Sequence, residues 1–520
     1  MRKNNCRNHE RGMALILALL ALLLISAVGL GMIYMSSTET SINTNYKDTQ
    51  LAFFAMRGGL EEMRDRMRSN SVSPITIPTA MPGAANSILY VVNPSGATDV
   101  VDPKTFGNTY FDDEFCHESF VGSTVAYVPP GTPCPLAGAP PGGSVAAYVA
   151  SASPFTNTAS SLKYKWARIT LKQNGTFPSA LVDSTQPAAS QVCWNSASAQ
   201  EVVASALGYP DCNTAQTAGL MVAPVYLVTA LAITPQGSRR VGQYESAALN
   251  ITPPPGALAL DGPAAVFNPA PNSNNYFASG NNSGAAAYNG PGGPAACPVT
   301  TPASSPAIST GDQQGVSNLV GPPPPGSIPA NRQGNYTGTG GTPSVVNQGS
   351  TGTNQLSGTW ASPAALNNLA SSIGNGADLS LTCGIGTPCS FPAVGLGTDA
   401  APKITYVNGD FNMGPNSGAG VLVVTGTLNI TGNSSFDGLI LVIGQGVMSE
   451  SGGGGGQFNG SIFLAKTNSS VAPYTQLATL ASPLIAWNGG GTNGIQYNSC
   501  WANIGNSMHY MVVASREEMY

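Results

Sequence analysis

The sequence predicts an α+β fold that is mostly β: one long N-terminal helix followed by many short strands. Residues 13–35 form an uncharged run dominated by Leu, Ala and Ile, and an apolar heptad pattern continues it to about residue 68. Short apolar segments closed by Gly, Pro, Asn and Ser make up most of the remaining chain. Only 9 % of the 520 residues are charged, against roughly 25 % in ordinary soluble domains. These observations indicate one long helix that carries a neutral, turn-rich body.

The composition argues against several classes of protein. The net charge of −5 excludes a general basic surface for nucleic acid. With three His and few other reactive side chains on a Gly-, Ser- and Asn-rich chain, the sequence favours a secreted or surface structural protein. We therefore expect no enzymatic activity, no cofactor, no catalytic residues and no metal centre.

The N-terminal segment predicts a membrane anchor. Residues 1–12 carry four Arg or Lys against one acid, and residues 13–35 would span roughly 35 Å as a helix. The apolar run is longer than the core of a cleaved signal peptide, and no small-residue cleavage site follows it. The basic flank is expected to stay in the cytoplasm, which places the chain after residue 36 outside. On these features alone, a plain signal anchor stays open.

A heptad pattern extends this helix beyond the bilayer. Apolar residues step by three and four, with charges of both signs between them. The pattern ends before Ser69 and Pro74, which predicts one helix from residue 13 to about 68, roughly 84 Å long. Its first half would pack in lipid and its second half against a globular head. The heptad positions are Ile42, Tyr46, Thr49, Phe53, Met56, Leu60, Met63 and Met67.

The junction between leader and helix resembles a class III signal of type IV pilins and pseudopilins. The resemblance rests on Glu10-Arg11-Gly12 followed by Met13-Ala14-Leu15-Ile16-Leu17, and residues 50–60 are similar to the corresponding region of PilX-type minor pilins. It implies that a prepilin peptidase cuts after Gly12, the last residue of the leader 1–12, and methylates the new N-terminal Met13. Arg57 stands where that family commonly has an acid.

One position departs from the major pilins, whose fifth mature residue is usually Glu. Here that residue is Leu17. In the filament core a carboxylate at this position can pair with the amine of a neighbouring subunit, where an unpaired charge is costly. The K-type pseudopilins of type II secretion also lack this Glu and sit at the tip, so the resemblance implies a tip or priming subunit.

Residues 75–250 are predicted to form a β-rich head of the pilin type, after a helix that covers 13–70. The last two strands flank a Gly-containing turn and predict a hairpin, which resembles the end of PilX-type heads. Arg239 and Arg240 follow this turn and are interpreted as solvated charge, with an interaction site as the alternative. The predicted strands are 87–92, 123–128, 161–171, which alternates Lys and Arg with apolar residues and should be half exposed, 225–233 and 239–245.

The segment 252–345 is predicted to be a Pro/Gly-rich linker or irregular loop. Of its 94 residues 32 are Gly or Pro, and three are charged. The runs Pro253-Pro254-Pro255 and Pro322-Pro323-Pro324-Pro325 favour extended, polyproline-like pieces. We expect this segment to lie partly on a neighbouring domain.

Residues 346–515 are predicted to form a Gly/Asn-rich C-terminal domain that resembles a β-solenoid. Phe436-Asp437-Gly438-Leu439-Ile440 and Phe458-Asn459-Gly460-Ser461-Ile462 recur 22 residues apart, with Val407-Asn408-Gly409 as a looser echo. Repeats of roughly 20–29 residues are typical of solenoids, in which each rung buries its apolar face on the next. A β-helix is the first interpretation and a β-sandwich the alternative. A similar Gly-rich stack follows the head in some large PilX-like proteins.

The cysteines predict disulfides and therefore an oxidising compartment. Eight of the nine follow the apolar helix, without the spacing of His and Cys that zinc requires. Eight cysteines allow 105 connectivities, and pairing close neighbours predicts Cys116–Cys134, Cys193–Cys212 and Cys383–Cys389, which leaves Cys297–Cys500.

The segment 112–118 is the densest acidic cluster in the chain. Its oxygen ligands would suit Ca²⁺, but it has neither the spacing nor the Gly of an EF-hand loop. We interpret it as an exposed acidic turn and leave calcium as the alternative.

Together these features predict a large, non-enzymatic minor pilin of the PilX type. Its partners would be major and minor pilins, bound through the N-terminal helix, together with the prepilin peptidase and a possible tip adhesin. It would lie in the inner membrane as a single-pass protein before assembly and at the pilus tip afterwards. The alternatives are a K-like pseudopilin of a type II secretion system and a membrane-anchored surface adhesin unrelated to pili.

Overall fold

The computed structural model describes most of residues 7–519. The residues in that range that it leaves undescribed are 69–70, 72, 83, 85, 93–98, 119–126, 130–131, 133–142, 147–163, 177–180, 269–274, 298–302, 321–327, 350–355, 357–358, 453, 488–493 and 509.

The fold is α+β and mostly β, as the sequence predicts. Helix α1 (Arg7–Arg66) comes first and is unbroken, because no Pro interrupts its apolar and heptad patterns. Shorter helices follow between the strands; they are α2 (Cys212–Thr217), α3 (Gln313–Val320), α4 (Pro363–Asn375), α5 (Ser499–Ala502) and α6 (Gly505–Met508).

The first sheet forms the head. Its order is β2-β1-β3-β6-β7-β27, β4 and β5 extend it beside the start of β6, and the one parallel pair among the described strands of this sheet is β1 with β2. The predicted strand 123–128 lies largely outside the described residues. The strands are β1 (Ile88–Val92), β2 (Gly143–Ala146), β3 (Trp166–Leu171), β4 (Val192–Asn195), β5 (Gln200–Val203), β6 (Val222–Ile233), β7 (Arg239–Ala248) and β27 (Tyr510–Met519).

Helix α1 packs its last five turns on one face of the head sheet. Met56, Leu60 and Met63 are buried against apolar side chains of β3 and β6. The approach is close because Gly242 of β7 presents no side chain: a Cβ there would overlap the Met56 sulfur and crowd Leu60. The heptad residues therefore pack against the head from about residue 52 onward, whereas the earlier heptad residues Ile42 and Tyr46 are 61 % and 66 % exposed.

Strand β3 is not half exposed, contrary to the prediction from its alternating charges. All six of its residues are buried, and Arg168 is 1 % exposed. The physical reason is that residues 110–118 cover the face of the sheet opposite α1 and supply carboxylates to Arg168. A charged side chain at a buried position is tolerated when it is paired in this way.

Two further sheets form the C-terminal body, and their strands pair mostly in parallel. The larger sheet contains β8 (Leu258–Asp261), β10 (Phe277–Ser279), β11 (Ile308–Thr310), β12 (Tyr336–Thr337), β13 (Val345–Asn347), β14 (Leu379–Thr382), β16 (Gly397–Thr398), β17 (Ala401–Asn408), β19 (Ser417–Val424), β21 (Ser435–Gly444), β23 (Gln457–Asn468), β24 (Gln476–Ala481) and β26 (Gly494–Tyr497). The smaller sheet contains β9 (Val266–Phe267), β15 (Cys389–Ser390), β18 (Phe411–Asn412), β20 (Thr427–Thr431), β22 (Val447–Ser451) and β25 (Leu484–Trp487).

These strands stack as rungs of a solenoid. Each rung contributes one strand to the larger sheet and the next strand to the smaller one, and successive rungs pair in parallel. Apolar residues from both sheets meet inside the stack, with Phe411, Phe436 and Trp487 among them. A β-helix, and not a sandwich of antiparallel strands, is therefore the arrangement of this body.

The 22-residue repeat is a repeat of rungs. Phe436 lies opposite Phe458 and Gly438 opposite Gly460 in the parallel pairing of β21 and β23. Gly438 and Gly460 have φ values of 148° and 139°, and a Cβ on either would overlap the carbonyl oxygen of the Gly on the preceding rung. Val407-Asn408-Gly409 is not in this register, because Val407 lies opposite Val424, so the predicted echo is wrong.

The segment 252–345 is not a linker, which corrects the prediction. Strand β8 pairs with β23 on one side and β11 on the other, and β9 pairs with β25. These residues form rungs beyond the last C-terminal one. Each rung uses strands of only two to four residues, so turn-forming Gly and Pro dominate the local composition and hide the strands. The predicted polyproline run 322–325 lies outside the described residues.

The chain returns to the head at its C-terminal end. Strand β27 pairs antiparallel with β7, from Tyr510 opposite Ala248 to Met519 opposite Arg240. The predicted C-terminal domain 346–515 therefore extends too far, since its last residues belong to the head sheet. The solenoid is an insertion between two neighbouring strands of that sheet.

Candidate functional site: the exposed half of the N-terminal helix

The first half of α1 presents a continuous apolar surface that the rest of the described chain does not cover. From residue 13 to residue 47 every side chain is exposed except at Gly29, which is intermediate. Met13 is 68 % exposed, Leu17 66 % and Tyr34 75 %. Among the described residues α1 is the one helix long and apolar enough to cross a membrane.

Five hydroxyl side chains of this part of α1 form hydrogen bonds within the helix. Ser26 donates a hydrogen bond to the Leu22 carbonyl at 2.8 Å, and Thr38 donates one to the Tyr34 carbonyl at 2.9 Å. Thr40 and Ser41 donate in the same way to carbonyls four residues earlier. Hydroxyl groups bonded to their own helix make no demand on water, so this surface suits lipid or the side chains of similar helices.

The second half of α1 anchors the helix to the head. The change occurs at Asp48, which is 5 % exposed, and Ala52 is fully buried. Glu62 and Arg66 are also buried, with the Arg66 Nη1 atom 3.6 Å from the Glu62 Oε1 atom. Burial raises the pKa of Glu62 to about 7, against the attraction of Arg66 and a hydrogen bond from Tyr164. The heptad pattern gives no sign that this ion pair is buried.

The predicted processing residues lie in the N-terminal part of α1. Gly12 and Met13 are both helical, and Leu17 lies one turn further on. The nearest acids in the sequence are Glu10 and Glu39. The apolar surface from residue 13 to 35 therefore offers no carboxylate to a neighbouring amine. Cleavage after Gly12 and the role of Leu17 stay predictions.

The acidic segment 112–118 is not an exposed turn, which corrects the prediction. Asp112, Glu114 and Glu118 are each less than 5 % exposed. Asp112 and Glu118 both bind Arg168, with the Arg168 Nη2 atom 2.6 Å from the Glu118 Oε1 atom. Burial raises the pKa of Asp112, and Arg168 opposes this rise. These carboxylates are occupied by cations from the head, which leaves no basis in the geometry for the calcium alternative.

The arginines after the hairpin turn are paired, and not solvated as predicted. The Arg239 Nε atom donates to Glu114 at 2.7 Å and its Nη1 atom to Asp113 at 2.7 Å. Arg240 lies 3.6 Å from Glu517 of β27. Both arginines contact acids that are more than 100 residues away in the sequence. The contacts therefore connect separate parts of the head, and the local sequence around the turn could not reveal them.

Three of the four predicted disulfide pairs are bonded in the described part of the chain: two pairs of close neighbours and the pair that these left over. Cys193 is bonded to Cys212, Cys297 to Cys500 and Cys383 to Cys389. Cys116 is also disulfide-bonded, and its predicted partner, Cys134, lies outside the described residues. No group of three or more His, Cys, Asp or Glu suited to a metal ion occurs in the described part of the chain.

The geometry describes a chain whose exposed apolar helix, long enough to cross a membrane, continues into a disulfide-bonded β-rich body. The family model described as PilX N-terminal matches residues 11–55, which includes the start of the apolar helix and its entry into the head. Together the match and the long apolar helix support a type IV pilin-like protein. No curated protein and no solved structure matches the chain.

Proposed function

We propose that this chain is a minor pilin of a type IV pilus, placed in a tip or priming complex that promotes pilus assembly and surface adhesion. The observation that carries the proposal is the uncovered first half of α1, which is exposed from residue 13 to 47 apart from Gly29 and apolar from 13 to 35; it coincides with most of the PilX N-terminal match. An apolar surface of this size is unfavourable in water and requires a partner. Before assembly the lipid of the inner membrane covers this surface, and after assembly the helices of other pilins cover it.

Leu17 supports a position at the tip. In this proposal Met13 becomes the mature N-terminal residue, so its amine is charged and Leu17 is the fifth residue. A subunit in the shaft would have to neutralise the amine of the next subunit, which Leu17 cannot do. A subunit at the tip has no such neighbour above it.

The size of the exported body favours the same position. The head covers only the last turns of α1, from about residue 48, and the solenoid is inserted into that head. Each subunit in a helical shaft is enclosed by others, whereas a subunit at the tip has one free side for a large body. That free side would also present the solenoid to other cells or surfaces, either directly or with a separate tip adhesin.

The first experiment tests processing by the prepilin peptidase. Mass spectrometry of the mature protein should find a methylated N-terminal Met13, and Gly12→Asp should abolish both cleavage and recovery of the protein in sheared pili. An intact Met1 in sheared pili would contradict the proposal. A protein that stays uncleaved in the membrane would instead support an anchored adhesin.

The second experiment tests position. Immunogold labelling should place the protein at pilus ends, and deletion of its gene should reduce the number of pili. Labelling along the whole shaft would contradict the tip assignment, and Leu17→Glu should then be tolerated with little change in position. Loss of protein export with normal pili would favour the K-like pseudopilin alternative.

A further inference from the structure

A cleft with a volume of about 590 Å³ lies where the head meets the solenoid. Tyr209 and residues 218–221 line its head side, and residues 304–306 with Thr359 line the solenoid side. Its volume is within the range of small-molecule sites, roughly 300–1,000 Å³, and such sites often occur between domains.

The lining is polar but carries no charge on any described residue. Trp360, 4 % exposed and packed against Phe463, forms an apolar part of the wall. The polar lining side chains that are at least partly exposed include Tyr209, Thr252, Ser304, Thr339, Gln348 and Thr359. Hydroxyl groups and a primary amide both donate and accept hydrogen bonds.

Both walls are held in place by covalent bonds. Tyr209 and Leu220 pack on the buried Cys193–Cys212 disulfide of the head. On the other side Tyr497 lies three residues from Cys500, which is bonded to Cys297. Pro253-Pro254-Pro255, whose φ angles are restricted by their rings, connects the two walls. A site with fixed walls loses little conformational entropy when it binds a ligand.

We propose that this cleft binds a neutral oligosaccharide of two or three sugar units. A charged ligand would be desolvated without an opposite charge, and an apolar ligand would leave the hydroxyl groups and the Gln348 amide unpaired. A sugar offers hydroxyl groups that donate and accept, and C–H groups that can lie against the partly exposed rings of Pro253 and Pro255 in the lining. The inference deepens the adhesive part of the proposed function, and only its biological use depends on display at a pilus tip.

The test uses the full-length protein in detergent on an array of neutral, sialylated and sulfated glycans. We expect binding to neutral glycans and at least tenfold weaker binding to the same structures carrying sialic acid or sulfate. The double variant Tyr209→Phe/Gln348→Ala removes two polar groups and should weaken binding about thirtyfold, since each of the two lost hydrogen bonds costs about 1 kcal/mol. The matched control is Tyr474→Phe/Gln313→Ala on the solenoid, at two residues that do not line the cleft.

Each outcome decides the proposal. Binding that survives Tyr209→Phe/Gln348→Ala, equal binding of charged glycans, or no binding of neutral ones would overturn it. An unchanged thermal unfolding temperature shows that the double variant is folded. If the double variant does not fold, Thr359→Val is used in its place. Because purified protein is used, failure here leaves the results for processing and pilus position unaffected.

Discussion

At the scale of single residues, several of the few charges of this chain form buried ion pairs that connect separate segments of the head. Arg168 joins β3 to Asp112 and Glu118, and Lys172 contacts Glu201 at 2.7 Å and Glu245 at 2.8 Å. Each pair links segments that are distant in sequence. Removing one partner of such a pair leaves an uncompensated buried charge, at a cost of about 3–5 kcal/mol. The low charge content therefore understates how much the head depends on electrostatics.

Glu62 predicts a pH-dependent stability. Its folded-state pKa of about 7 lies above its ordinary value of 4.5 because the side chain is buried. The folded protein holds this proton more tightly, so stability falls by about 3 kcal/mol as the pH rises from about 4.5 to 7 and then levels off. Glu62→Gln removes this dependence. Thermal unfolding of the full chain in detergent should show that the stability of the variant, relative to that of the native protein, increases from pH 5 to pH 8.

The control for this measurement is Glu39→Gln on the exposed part of the same helix. It should leave the difference between pH 5 and pH 8 unchanged. If the unfolding temperatures of Glu62→Gln and of the native protein change by the same amount between pH 5 and pH 8, the folded-state pKa of Glu62 is not raised and the prediction is wrong.

At the scale of elements, the solenoid rung is the repeating unit. Its corner is a column of Gly residues, Gly420, Gly438 and Gly460, that lie opposite one another in successive rungs. Their backbone conformation is one that L side chains rarely adopt, and there is no room for a Cβ. The rungs can therefore stack at this corner only when all three positions are Gly.

Gly438→Ala is predicted to destabilise the solenoid by at least about 3 kcal/mol, because backbone strain and steric overlap add. Gly386→Ala is the matched control: its φ is 85°, but nothing lies within 4 Å of an added Cβ. The control should lose only about 1 kcal/mol, the cost of the left-handed conformation. Guanidinium unfolding of both variants gives the comparison. Equal losses would mean that overlap at the corner is relieved by small shifts.

At the scale of the whole molecule, the head is built from parts of the chain on both sides of the solenoid. Helix α1 and strands β1–β7 precede the solenoid, and β27 follows it and pairs with β7. The solenoid is itself out of sequence order, since β8 stacks on β23. The Cys297–Cys500 disulfide joins segments 203 residues apart. Together with the pairing of β8 with β23 and of β10 with β26, this bond connects the early and late parts of the insertion.

The disulfides are predicted to differ in their contribution to stability according to the loop that each closes. Replacing Cys297 and Cys500 with Ser should cost about 5 kcal/mol, and the same change at Cys383 and Cys389, six residues apart, about 2 kcal/mol. The reason is that the longer loop restricts the unfolded chain more. Unfolding of both double variants under non-reducing conditions measures the difference. If the Cys383/Cys389 variant lost more stability than the Cys297/Cys500 variant, the disulfides would act mainly by stabilising the folded state and not by restricting the unfolded chain.

The part of the fold that could be predicted is the part with a local period. The helix, the 225–245 hairpin and the Phe436/Phe458 repeat all follow from spacing within 30 residues. The rungs at 258–267 could not be predicted, because strands of two to four residues have no measurable period. The cleft between the head and the solenoid and the pairing of Arg168 could not be predicted either, because each combines residues that are more than 40 positions apart.

The sequence by itself determined the long apolar helix, its amphipathic continuation and a Gly-containing repeat in the C-terminal part of the chain. These depend on hydrophobic periodicity and on backbone conformations that only Gly adopts readily. Only the tertiary structure decided that 252–345 joins the solenoid, that β27 closes the head and that the acidic segment is neutralised within it. The physical reason is that strand pairing, disulfides and ion pairs depend on distance in space, which a neutral, turn-rich sequence of short strands does not encode locally.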